Sequence, residues 1–170
     1  MCVSSFSFFF LSSCFSFREN PRVITTSHET QIKEKSLHSG KDNEFNAFIL
    51  DEDSEDRLLD EMEDLLAEGG CVVDFHTCGL FPERWFDLVL VLRADTNVLY
   101  DRLKKRGYND RKVNENMECE IMQVVLEEAR ESYAEDIVKE IKSNSIEELE
   151  KNVESVVAWA KQWTLAKSSS

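Results

Sequence analysis

Glycine and proline are scarce in this chain, with five and two among 170 residues. Long flexible linkers are thereby excluded, and the length suits one domain. Bases are also in the minority: 20 Lys and Arg face 34 Asp and Glu, for a net charge of −14. That balance excludes a broad surface for gripping DNA phosphates, although not a local basic patch. The five cysteines are odd in number and show no C-x-x-C spacing. This points to reduced thiols rather than a disulfide framework or a zinc site, with Cys71 as small core filling. No apolar run is long enough to span a bilayer, so no membrane partner is expected. What remains, 42% hydrophobic and 32% charged residues, is the composition of a soluble globular protein.

The chain opens with MCVSSFSFFFLSSCFSF, nearly all Phe, Ser, Leu and Cys. It lacks the basic start and the small-residue cleavage site of a secretory signal. Phe, Ser and Leu codons are pyrimidine-rich, so translated non-coding sequence and a true targeting segment are both open origins. Residues 1–32 show neither helical period nor alternation, and contain no glycine. Residues 51–70 hold ten acids against one base, Arg57. This is either a solvated helix face or a docking face for a basic partner.

Downstream the pattern is regular. Leu50, Leu58, Leu59, Met62, Leu65 and Leu66 recur at helical spacing, which predicts a helix capped near Asp53 or Ser54 and stopped at Gly69. Cys71–Phe75 and Asp87–Leu92 read as buried strands. Phe81–Phe86 reads as a short aromatic turn that anchors the core, with Arg84 either paired to Glu83 or reaching a site. A helix is expected from Asp95 or Thr96 to Arg106, ended by Gly107. Gly107–Asn116 reads as a polar loop, followed by one long helix over Met117–Glu135. Ile137–Ile141 is helix or strand. Ser145 and Glu148 form an S-x-x-E capping box for a last helix ending near Trp163. Strands alternating with helices imply a parallel sheet in a three-layer α/β fold.

Two constellations bear chemistry. Asp74 and His76, two apart at a strand end, point to one side of the sheet. A carboxylate there can hold Mg²⁺ through water, and an imidazole can orient or deprotonate a nucleophile. The alternative is a turn-capping acid and a structural histidine. Arg106, Arg111 and Lys112 flank the polar loop and can close over triphosphate, or simply be solvated.

These residues together resemble the adenylate kinase isoenzyme 6 family, also called the coilin-interacting nuclear ATPase family. The resemblance runs from Lys33 to Trp163. It is carried by DFHTCGLFPERWFD, LRADTNVLYDRLKKRGYN, ECEIMQVVLEEARESY and SNSIEELEKNVESVVAWAKQW. It implies a P-loop nucleoside monophosphate kinase-like fold and phosphoryl transfer from ATP to AMP-like monophosphates, with ATP hydrolysis and Mg²⁺ bound with ATP. It further implies a place in small ribosomal subunit maturation through a small-subunit ribosomal protein, in the nucleus and also the cytoplasm. By this resemblance Asp74 and His76 are catalytic, with Asp74 holding Mg²⁺ through water. Residues 105–115 form the lid, with Arg106 contacting ATP and Arg111 and Lys112 beside it. Residues 33–53 are part of a monophosphate-binding segment, and 33–165 the kinase-like domain.

The family pattern opens with a strand, a glycine-rich GKT loop, a helix and a second strand, none of which matches residues 1–32. Thr77 stands where many members have Gly, and Gly79 where many have an acid. Without the central first strand, four or five buried apolar side chains are lost, about 6–15 kcal/mol. Whole-domain stability is only about 5–15 kcal/mol. The chain is therefore expected to be unstable unless Phe8–Leu11 inserts as a substitute strand, which would restore packing but not phosphate binding.

Overall fold

The computed structural model describes residues 8–12, 22–25, 40–42, 47–49, 51–67, 70–75 and 79–168. The strands are β1 (Phe8–Ser12), β2 (Arg22–Thr25), β3 (Gly40–Asp42), β4 (Ala47–Ile49), β5 (Cys71–Phe75), β6 (Leu88–Arg93) and β7 (Val138–Lys142). The helices are α1 (Glu52–Ala67), α2 (Thr96–Lys105), α3 (Asp110–Ile121), α4 (Val124–Ser132) and α5 (Ile146–Ser168). A five-stranded sheet has the order β2-β5-β1-β6-β7, and β3 pairs with β4 in a separate ribbon. This is the expected α/β class. β2 runs parallel to β5, and β7 parallel to β6.

The central slot is filled. β1 lies between β5 and β6, with Phe10 opposite Val73 on one side and Val89 on the other. It runs antiparallel to both. Phe8–Leu11 thus supplies a central strand, but a reversed one, and the sheet is mixed rather than wholly parallel.

The remaining elements form for local reasons. Val73, Val89 and Val91 are buried in the sheet, and Leu58, Met62 and Leu66 bring α1 onto the same core. α1 is capped by Asp51, whose carboxylate accepts from the Ser54 N–H at 3.0 Å, so its cap falls before the Asp53 or Ser54 expected. The stop expected at Gly69 lies outside the described residues. The aromatic turn is core, as read: Phe81 and Phe86 are buried, and their rings meet edge-on at 5.8 Å. Arg84 neither pairs with Glu83 nor reaches the sheet edge. It bonds Glu63 of α1 at 2.8 Å, because the 3₁₀ turn Glu83–Trp85 packs beside that helix.

Two expectations are corrected after α2. Gly107–Asn116 is not a loop, since α3 begins at Asp110. Asn109 caps it by accepting from the Lys112 N–H at 2.8 Å, and Val113 and Asn116 are buried on its inner face. The long helix is broken at Gln123, whose φ of 56° lies in the left-handed region. The break re-aims the chain so that Val125, Leu126 and Ala129 are buried while Ile121 and Met122 face out. The Ile137–Ile141 alternative resolves to strand β7. At α5, Ser145 Oγ accepts from the Glu148 N–H at 3.2 Å. The Glu148 carboxylate reaches past the cap to the Asn144 N–H at 2.6 Å. Among the described residues no helix is long and apolar enough to cross a membrane.

Candidate functional site

Asp74 is the next-to-last residue of β5, half-buried, level with Phe9 of β1 and Thr25 of β2. Through Phe9 it is also level with Leu90 of β6, which continues to Arg93 at the same edge of the sheet. Asp74 therefore occupies the carboxyl edge of parallel strands, where open α/β sheets bind ligands. His76, its expected companion, lies outside the described residues.

The three basic candidates gather at the α2–α3 junction. Arg106 is the C-cap of α2. Gly107 follows with φ 76°. Its N–H bonds the Lys104 carbonyl at 2.9 Å, and the Tyr108 N–H bonds the Leu103 carbonyl at 3.4 Å. Those two bonds make a Schellman turn, whose left-handed position favours glycine. The turn reverses the chain so that Lys104 pairs with Asp110 in the first turn of α3. This contact holds the Lys104 pKa up and the Asp110 pKa down. Arg111 bonds Glu115 at 3.0 Å, and the Lys112 ammonium sits 4.4 Å from the centre of the Tyr108 ring. The junction is thus a basic elbow, with Asp74 on a separate element.

Sequence reasoning missed a third group. Arg93 closes β6 and is 16% exposed; Glu120 on α3 is 6% exposed, and the two form an ion pair. Arg93 also bonds the Glu120 carbonyl at 3.2 Å and Glu140 of β7 at 3.1 Å. Burial pushes the Glu120 carboxyl pKa up, and the Arg93 hydrogen bond opposes it. One turn earlier on the same helix face, Asn116 donates to the Lys112 carbonyl at 2.7 Å, while its buried Oδ1 has no hydrogen-bond partner. An open cleft of about 650 Å³ lies here, bounded by Arg93, the start of α2, Glu120 and Ile121. The available signal was a base ending an apolar strand and an acid on the inward face of the following helix.

The segment after β5 is pinned in turn. The Gly79 N–H donates to Glu128 at 2.9 Å, the Ala134 N–H donates to Glu83 at 2.9 Å, and the Tyr133 hydroxyl bonds the Phe81 carbonyl at 3.3 Å. Cys71 is buried in the core, as read. Among the described residues no three His, Cys, Asp or Glu side chains cluster as a metal cage.

An α/β sheet with an acid at the carboxyl edge of its parallel strands is a frame on which nucleotide-binding proteins are built. A family model described as an AAA domain matches residues 18–123. The adenylate kinase isoenzyme 6 homolog of Dictyostelium discoideum is 52% identical over 132 residues, covering 78% of this chain and 74% of the relative. That of Caenorhabditis elegans is 52% identical over 128 residues, covering 74% and 69%. The Schizosaccharomyces pombe homolog is 48% identical over 132 residues, covering 78% and 74%. The chain belongs to the adenylate kinase isoenzyme 6 family, and lacks the glycine-rich phosphate loop.

Proposed function

We propose that this protein is, by descent, a phosphotransferase that moves a phosphoryl group from ATP to AMP-like monophosphates and hydrolyses ATP. Its setting is maturation of the small ribosomal subunit, through a small-subunit ribosomal protein, in the nucleus and also the cytoplasm. The observation that carries the reading is the 52% identity over 132 residues, which spans both the strand-end motif and the basic elbow. Asp74 and His76 are the catalytic pair in this proposal. Arg106, Arg111 and Lys112 receive the triphosphate and neutralise its charge.

The donor set suits Mg²⁺ bound with ATP. This ion uses one or two carboxylates, substrate phosphates and several waters, so Asp74 suffices without a wider cage. When bound it would supply charge neutralisation at the phosphates. His76 would orient or deprotonate the accepting oxygen.

A second reading is favoured by β1. The register sets Phe8 level with Phe75 and Ser12 level with Cys71. The amino end of β1, and not its carboxyl end, thus meets the edge that carries Asp74. The chain leaving Ser12 departs from the opposite edge, so no phosphate loop can follow this strand into the site. On that reading the chain is a protein-binding module that is catalytically impaired, or a non-functional fragment. Calorimetry of ATP·Mg²⁺ on the 170-residue chain, with Asp74→Ala as control, separates them. Micromolar binding abolished by the substitution supports the enzyme. No heat from a folded sample supports the binding module or fragment.

A further inference from the structure

The last helix has an apolar outer face. Ile146, Leu149, Val153 and Val157 are 72%, 47%, 54% and 38% exposed. Leu149, Val153 and Val157 are four apart and lead, past Lys161, to the exposed Leu165. They form one i±4 ridge along the helix. The opposite side, with Val156, Trp159, Ala160 and Trp163, faces inward and is buried or half-buried. A row of this length is more than the scattered exposed side chain expected of a monomer.

Charge along α5 is uneven. Glu147, Glu148, Glu150 and Glu154 stand in its first half with one base, Lys151, whereas the stretch from Val157 onward has Lys161 and Lys167 and no acid. Such a helix complements its own reverse. An antiparallel copy sets the acidic half against the basic half, and i±4 ridges from two copies interdigitate at about −50°. We propose that α5 is a self-association surface, on which two copies of this chain pack antiparallel about a two-fold axis through Val157. In that register the two Val157 side chains meet on the axis. Leu149 meets the second copy's Leu165, and Glu154 lies beside its Lys161. The contact is isologous, so it closes as a dimer and does not propagate. It uses none of Asp74, Arg106, Arg111 and Lys112, and stands whether or not the chain binds nucleotide.

The test is sedimentation velocity on the full chain from about 1 to about 200 µM, a range that brackets micromolar association. The expected result is a concentration-dependent monomer–dimer equilibrium with a plateau at the dimer. Val157→Glu faces two carboxylates across the axis, and weakens the dimer at least about tenfold. A thermal melt at about 1 µM, where the wild-type chain is monomeric, checks that the variant is folded. Glu154→Lys and Lys161→Glu each weaken the dimer about threefold, and the double substitution restores it. A monomer throughout the range overturns the proposal, as does a dimer indifferent to Val157→Glu or a double variant no better than the singles. Open-ended aggregation without a dimer plateau also overturns it. Slow hydrogen exchange over 149–157 in a strictly monomeric sample assigns the face to an intramolecular cover instead.

Discussion

Replacing Arg93 with Met should cost stability in a strongly pH-dependent way. The substitution keeps an unbranched side chain and removes the guanidinium that bonds the Glu120 carboxylate, the Glu120 carbonyl and Glu140. Glu120, 6% exposed, is left charged and buried. Breaking such a pair costs about 3–5 kcal/mol. The carboxylate has an escape, which is to take up a proton. From its ordinary value of 4.5 that costs 1.36 kcal/mol per pH unit, or about 3.4 kcal/mol at pH 7 and about 0.7 kcal/mol at pH 5. The smaller cost governs, so the loss is about 3 kcal/mol at pH 7 and about 1 kcal/mol at pH 5. The sign follows from proton linkage: a folded-state carboxyl with a raised pKa binds more protons than the unfolded chain, so stability falls as pH rises. Urea unfolding of wild type and variant at both pH values measures it. Restoring an apolar pair with Arg93→Met/Glu120→Leu should recover most of the loss. An equal loss at both pH values, or a loss below about 1 kcal/mol at pH 7, would refute the assignment of a buried, paired Glu120.

Gly107→Ala, at φ 76°, should destabilise by about 1 kcal/mol through backbone strain alone, since an added Cβ meets nothing within 4 Å; a thermal melt reads it. Asn109→Ala removes the cap of α3 and should cost about 1 kcal/mol in urea unfolding, with faster hydrogen exchange in the first turn of that helix. Glu120→Gln removes a group whose stabilising contribution is greatest below its ordinary pKa and fades as pH rises through the raised folded value. Stability measured from pH 4 to pH 7 should therefore climb more steeply in the variant than in wild type.

Strands β5 and β6 and helices α1, α2 and α5 were legible because period and punctuation agreed, whereas β2, β3 and β4 lie where the sequence shows no clear pattern. CVVDF and LVLVL are continuous apolar runs, and Gly107 and the Ser145–Glu148 box mark helix ends by mechanisms that need no tertiary partner. The start of α3 was not legible, because NDRKVNEN is as polar as a loop. Only the Asn109 cap and the inward Val113 and Asn116 distinguish it. The helix break at Gln123 had no glycine or proline to announce it. The strand end that carries Asp74 and the stop of α2 at Gly107 followed from local spacing, whereas the return of the chain into α3 did not. The Arg93–Glu120 pair did not, since it joins residues 27 apart that meet only once β6 and α3 pack.

The reversed central strand has a consequence for how the molecule assembles during synthesis. β1 precedes every other described element, and its neighbours are far downstream: Phe10 pairs with Val73 and Val89. Until both partners have left the ribosome, FFFLS is an apolar β-forming segment with both edges open. Sheet closure then depends on contacts of long sequence separation, which form slowly. The same segment that completes the sheet is therefore the nascent chain's principal exposure to aggregation, and a holdase bound early to residues near Phe8–Ser12 would raise the yield of folded protein more than one acting on any later strand.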